Sequence, residues 1–181
     1  MKLLFKVLFA AAAATGSVMA SAEAASPYAG QEAREIKALS PAEVEGLLAG
    51  KGMGYGKTAE LNRYPGPAHV LELSSELGLT EEQLRATRDI HARMEMRAKA
   101  VGAQVIAAEA ALERSFRDGA VNEDTLKASL GEIAQLQAEL RAVHLTAHLE
   151  QHRVLSAEQI DRYVHLRGYH HGDGARAGHG H

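Results

Sequence analysis

Ten histidines stand in this chain of 181 residues, and eight of them lie at or beyond His144. Neutral imidazole is the commonest protein ligand for borderline divalent metals. His144, His148 and His152 step by four, which sets them on one face of a helix. Far upstream, His91 and Glu95 are also four apart. If two helices fold back on each other about Gly119 and Ala120, each rising about 1.5 Å per residue, residues equally far from the turn meet. His91 and His148 are each 28 residues out from that pair, and Glu95 and His144 each 24. The spacing therefore predicts three imidazoles and a carboxylate within one helical turn. That donor set suits tetrahedral Zn²⁺, with Ni²⁺, Co²⁺ or Cu²⁺ as related occupants. His152 lies one turn further out and is a secondary ligand. The end of the chain carries His170, His171, Asp173, His179 and His181 among glycines. Such a low-complexity segment, 169–181, is expected to be disordered and to act as a loose metal trap. His69, just after Pro65-Gly66-Pro67, could reach toward a metal or cap local backbone, and the cap is the favoured reading.

Other chemistries fall away. The chain has no cysteine, so thiolate metal sites and cysteine nucleophiles are excluded. The segment Gly50-Lys51-Gly52-Met53-Gly54-Tyr55-Gly56-Lys57-Thr58 has the flavour of a phosphate-binding loop. The required first glycine would fall at Lys51, however, and no apolar strand precedes it. There is no Gly-x-Ser-x-Gly elbow. Leu145, not Glu, follows His144, so the helical metalloprotease motif is absent. The reading is of a binding protein and not an enzyme.

The elements that would position these residues are helices. Lys2 and Lys6, then an apolar run from Leu3 to Ala14, then small residues, read as a signal peptide over 1–24, with cleavage after Ala20 or Ala24. With it removed, 18 basic and 22 acidic side chains remain, a net charge of −4, which argues against nucleic acid. No later apolar run approaches the roughly 20 residues of a spanning helix, so no stable membrane insertion is expected after export. Residues 25–65 read as a flexible leader with short helices. Ser40-Pro41-Ala42-Glu43 is a capping box with Pro at N1, opening a helix through Leu48, and the glycines from Gly50 to Gly56 follow. Pro67 starts a helix through Leu77. From Thr80 to Phe116, apolar residues recur in steps of three and four, with Gly102 the lone glycine. Asn122 is an N-cap for a second long helix reaching Val154, with Glu123 and Asp124 in its first turn. A last helix spans Ala157 to Leu166. The fold class is all-α: a long antiparallel helical hairpin over 66–168 with short flanking helices. So little core, rich in alanine, points to a homodimer.

Two phrases punctuate that hairpin: Leu79-Thr80-Glu81-Glu82-Gln83 and Leu155-Ser156-Ala157-Glu158-Gln159. Each is a capping box, in which the hydroxyl accepts from the N3 amide and the glutamine reaches back to the N-cap amide. The pair resembles the repeated LTxxQ signature of the periplasmic family that holds the Spy and CpxP chaperones and the ZraP and CnrX heavy-metal proteins. Ser156 stands where the second copy has Thr in that pattern. The resemblance runs from about Pro65 to Tyr169 and implies a periplasmic, dimeric helical hairpin. In metal sensors like CnrX, a Met follows a hairpin His by four residues. Here His148 takes that place after His144, which implies nitrogen and not sulfur coordination. Glu109 is the implied counterpart of the sensors' helix glutamate and would join only across a dimer interface. Met94 and Met96 are possible soft ligands, though methionine at helical spacing is usually core. Two functions follow from the resemblance. One is a heavy-metal sensor or resistance protein, read by a membrane-bound partner. The other is a refolding chaperone or envelope-stress adaptor for unfolded client proteins, whose acidic members the cluster Arg85, Arg88, Arg93, Arg97 and Lys99 would attract.

Overall fold

The computed structural model describes residues 26–169. The signal segment and the tail residues His170, His171, His179 and His181 lie outside the described residues. Residues 26–32 belong to a separate unit and make local turns, the Ala29 amide donating to the Ser26 carbonyl at 2.9 Å. From Ala33 onward the described residues form a helical body: α1 (Pro41–Leu48), α2 (Lys57–Glu60), α3 (Pro67–Glu72), α4 (Glu81–Arg117), α5 (Glu123–Val154) and α6 (Ala157–Leu166). No strand occurs among the described residues, and none of their helices is long and apolar enough to cross a membrane.

Helix starts are set locally. Ser40, Thr80, Asn122 and Ser156 each cap a helix, with Glu43, Gln83, Thr125 and Gln159 reaching back to complete the box. Each box satisfies amides that the first helical turn leaves without partners. The two glutamines do more than cap. Gln83 Nε2 donates to Gln159 Oε1 at 2.8 Å, and Gln159 Nε2 donates to Gln83 Oε1 at 3.0 Å. Gln83 Nε2 also reaches the Val154 carbonyl at 3.0 Å. The starts of α4 and α6 and the end of α5 are thereby joined through one amide pair.

The two long helices pack along each other, joined by a tip of five residues in which Gly119 has φ +67°. Thr87 meets Gln151, Arg93 meets Glu150 and Arg97 meets Glu139 between them. α1 lies on α4, α2 on α5, and α3 touches both long helices. Two apolar cores result. One gathers Leu47, Ala98, Val101, Val105 and Leu140 near the middle of the hairpin; the other gathers Val70, Leu77, Leu155, Ile160 and Tyr163 at its base. The buried polar side chains are Thr87, His144, His148 and Gln151, and on α5 all three lie between Leu140 and Leu155.

Two segments take shapes that periodicity did not indicate. The glycine-rich stretch after α1 is a series of hydrogen-bonded turns, Lys51 to Gly46, Tyr55 to Gly52 and Lys57 to Gly54, leading into α2. α3 stops at Glu72, and the chain continues to Gly78 as hydrogen-bonded turns, Ser74 to Leu71 and Gly78 to Ser75, with Gly78 at φ +62°.

Gly102 permits the crossing of α1 over α4. A Cβ there would collide with the Leu47 carbonyl group. Gly102→Ala is expected to cost about 1–3 kcal/mol, the usual range for overpacking, despite alanine's better helix propensity. Urea unfolding followed by circular dichroism reads this directly, as a lowered midpoint with an unchanged slope.

Candidate metal centre

α5 carries His144 and His148 on the face turned toward the segment between α1 and α3. Both are buried, at 3% and 9% exposure. His148 Nδ1 lies 2.7 Å from the Tyr64 carbonyl oxygen. A carbonyl can only accept, so Nδ1 carries the proton and donates it, and the Nε2 of the neutral ring keeps its lone pair. This backbone bond fixes both tautomer and ring orientation, as the outer partners of metal-ligating histidines do. Gly56 and Gly66 flank the ring. A Cβ on Gly66 would stand 2.9 Å from Cε1 and 3.2 Å from Nε2, and one on Gly56 would fall against Nε2 itself. Only glycine leaves room for the imidazole at these two positions.

His144 lies flat against Tyr55, with ring centroids 5.9 Å apart and planes 8° off parallel. Its Nε2 is buried and has no hydrogen-bond partner among the described residues. Burial, and secondarily the neighbouring His148, push the His144 pKa below its ordinary value near 6.5. A cleft of about 520 Å³ opens beside the pair, and Glu60, His69, Met94 and Tyr169 also line it.

Glu60 anchors this cleft. Its carboxylate accepts from the Tyr163 hydroxyl, from the Tyr169 hydroxyl at 3.1 Å and from the Gly66 amide at 3.2 Å. Arg167 Nε and His148 Nδ1 each stand 3.7 Å from it. Desolvation first, and then the bond to Glu60, hold the Tyr163 phenol well above its ordinary range.

The remaining sequence-predicted residues are distributed as follows. His152 stacks on Tyr64, with centroids 4.5 Å apart. His91 and Glu95 lie on α4 near one another. Glu95 pairs with Lys99 at 2.5 Å, and that bond, with His91 a smaller contributor, lowers its carboxyl pKa. Glu109 is half-buried further along α4, its pKa raised by desolvation. His144 and His148 share one cleft, whereas His91 and Glu95 are not part of its lining. No group of three or more His, Asp or Glu side chains is arranged to hold a metal among the described residues.

His69, read from sequence as a local cap, lines the cleft, and its Nδ1 lies 3.0 Å from Glu72. Glu60, Tyr64 and Tyr169 were not singled out by spacing. The visible signal was the run of glycines at 52, 54 and 56 and the Pro-Gly-Pro at 65–67, which mark close backbone approach. Nothing in the local sequence names His148 as the group approached.

The His144 shift has a pH consequence. A histidine whose folded pKa is depressed binds fewer protons when folded, so it opposes folding as pH falls below its unfolded value. Its contribution is flat above about pH 7 and destabilising progressively below about pH 6.5. Thermal melts of metal-free protein should therefore show a falling midpoint toward acid, and His144→Gln should flatten that limb.

Comparison with protein-family models, with curated proteins and with solved structures returned no match, so the reading of this cleft stands on its residues.

Proposed function

We propose that this chain is an exported, periplasmic metal-binding protein of the heavy-metal sensor or resistance kind. It would hold a Zn²⁺-like ion at the His144–His148 cleft. The observation that carries this reading is the state of the two rings. One is locked by a backbone carbonyl so that Nε2 presents a lone pair between two glycines. The other is buried one turn away with a ring nitrogen that has no partner among the described residues. Burial favours the neutral, ligating form of His144. His69 supplies a further nitrogen on the cleft wall. Glu60 balances the added charge from the outer shell, as carboxylates near metal-bound histidines commonly do. The His91–Glu95 pair on α4 is a separate donor pair of the same hairpin. The paired capping boxes support membership of the LTxxQ family, and with it an antiparallel hairpin that dimerises. Phe116 at 55% exposure and Leu130 at 49%, both toward the tip, are apolar surface such a dimer would cover. A membrane-bound sensor would then read the metal-dependent packing of the hairpin.

A second reading, a chaperone for unfolded clients, is favoured by a different feature. A groove of about 640 Å³ between α1 and α4 is lined mainly by Ile36, Leu39, Val44, Leu48, Ile106 and alanines, with Leu48 54% exposed.

Calorimetric titration of the mature chain separates the two. Under the metal reading Zn²⁺ binds stoichiometrically with sub-micromolar affinity, the binding weakens below about pH 6 as imidazoles protonate, and it is lost in His144→Ala/His148→Ala. A chain that binds no Zn²⁺ but suppresses client aggregation at low molar ratio would replace the metal reading with the chaperone one.

A further inference from the structure

We propose that the cleft is a mixed imidazole–thioether site whose preferred ion is Cu(I), with Met53 and Met94 as sulfur ligands beside His144 and His148. This rests on the metal reading above and deepens it by naming the ion and two further donors.

The starting point is what α4 brings to the cleft. Spacing predicts His91 and Glu95 there, but the α4 side chain in the lining is Met94, half-buried. Met53 joins it from the glycine-rich turns after α1, so thioethers from two separate segments border the same space as the two rings. Methionine on a helix is ordinarily core, and Met94 alone would pass for that. Met53 does not. It is 45% exposed, so it fills no core. It is the second residue of the turn that the Tyr55 amide closes on the Gly52 carbonyl, and its φ of +43° is a left-handed conformation that residues with a Cβ rarely take. Asparagine or glycine would relieve that strain. The side chain is nevertheless held in place. It lies over Gly46 of α1, where a Cβ would stand 2.6 Å from Sδ. A methionine that is strained, half-exposed and yet positioned, bordering a cleft that holds two ligating rings, is accounted for by a task for its sulfur.

The second observation is the balance of donors and charge. His148 Nε2 keeps its lone pair, and the buried His144 Nε2 has no hydrogen-bond partner among the described residues. No three-membered group of His, Asp or Glu is arranged to hold a metal among those residues. Zn²⁺ calls for a fuller set of nitrogen, oxygen or thiolate ligands than this. Thioethers are soft, neutral donors that select Cu(I), an ion content with low coordination numbers. Charge points the same way. Glu60 and Lys57 bring opposite charges to the lining, and Arg167 stands 3.7 Å from Glu60, so with neutral imidazoles these groups leave no net negative charge to offset a dication. The cost of taking an ion out of water rises with the square of its charge, and a monocation is accommodated far more readily.

The test uses the full mature chain under anaerobic conditions, with Cu(I) delivered as its bicinchoninate complex and Zn²⁺ as the comparison ion. Met53→Leu/Met94→Leu removes both sulfurs while conserving volume and apolar character. It is expected to weaken Cu(I) binding by at least about tenfold and to leave the Zn²⁺ affinity within about threefold, whereas His144→Gln/His148→Gln weakens both. Met53→Leu alone, in an exposed turn, shows the same direction and keeps the test in force if the Met94 change unfolds the chain. X-ray absorption at the copper edge reads the ligands directly: sulfur scatterers in the unaltered chain, lost in the double methionine variant. A Cu(I) affinity and copper-edge spectrum indifferent to the methionines, with Zn²⁺ still held through the histidines, would overturn the thioether site and leave the metal reading standing. Binding of neither ion by the unaltered chain would remove both.

Discussion

The carboxylate of Glu60 is the point through which the base of this molecule is tied together. It ends α2, a helix of four residues with no side-chain cap, far too short to persist without tertiary support. From there it gathers the Tyr163 hydroxyl of α6, the Tyr169 hydroxyl, the amide at the start of α3 and the nearby Arg167. A largely buried carboxylate is tolerated only when donors replace its lost hydration, and this one has three hydrogen bonds and a guanidinium beside it. Its position fixes the path from α2 to α3. That path carries the Tyr64 carbonyl and Gly66, which together with Gly56 at the start of α2 orient His148. The geometry of the imidazole thus depends on a network in which it is itself only a peripheral member.

A second constraint runs along the hairpin. Two apolar cores are separated on α5 by His144, His148 and Gln151, with Thr87 opposite on α4. Gln151 donates to Thr87, Thr87 donates to the Gln83 carbonyl, and Gln83 exchanges amide bonds with Gln159. An all-leucine seam would slide by a turn at little cost. A polar layer with specific partners penalises each such slip, because every displaced donor or acceptor would be buried without a mate. The two capping glutamines extend the same lock to the helix starts, so a local signal for helix initiation also carries long-range information.

How much of this was legible in the sequence follows from which interactions are local. Helix starts were readable because a capping box involves residues three apart: the boxes read at Ser40, Thr80 and Ser156 are present, and Asn122, read as an N-cap, also forms a box with Thr125. Counting from the turn puts Thr87 opposite residue 152, and Thr87 bonds to Gln151. Counting fixes level but not rotation. Which face of each rod turns inward depends on everything else that packs there, and here the Gly52–Gly66 segment takes the face bearing His144 and His148. His91 and Glu95 stand at the expected height and associate with each other and with Lys99. Glu60 and Tyr169 were illegible for a related reason. They are 109 residues apart in sequence, and neither sits in a periodic pattern.

The unpartnered nitrogen of His144 bears on why such a layer exists. Leaving a buried polar atom without a hydrogen bond costs about 1–3 kcal/mol, and a leucine of similar volume would avoid that cost. That nitrogen, without a partner among the described residues, stands at the same place where burial already favours the neutral ring. A cation entering the cleft would satisfy that nitrogen and displace no competing donor. It would also have no proton to expel from His144, since at neutral pH the ring is already in its ligating form. Under the metal reading proposed above, occupancy would bear first on the junction of α2, α3, α5 and α6, where the groups that hold His148 meet.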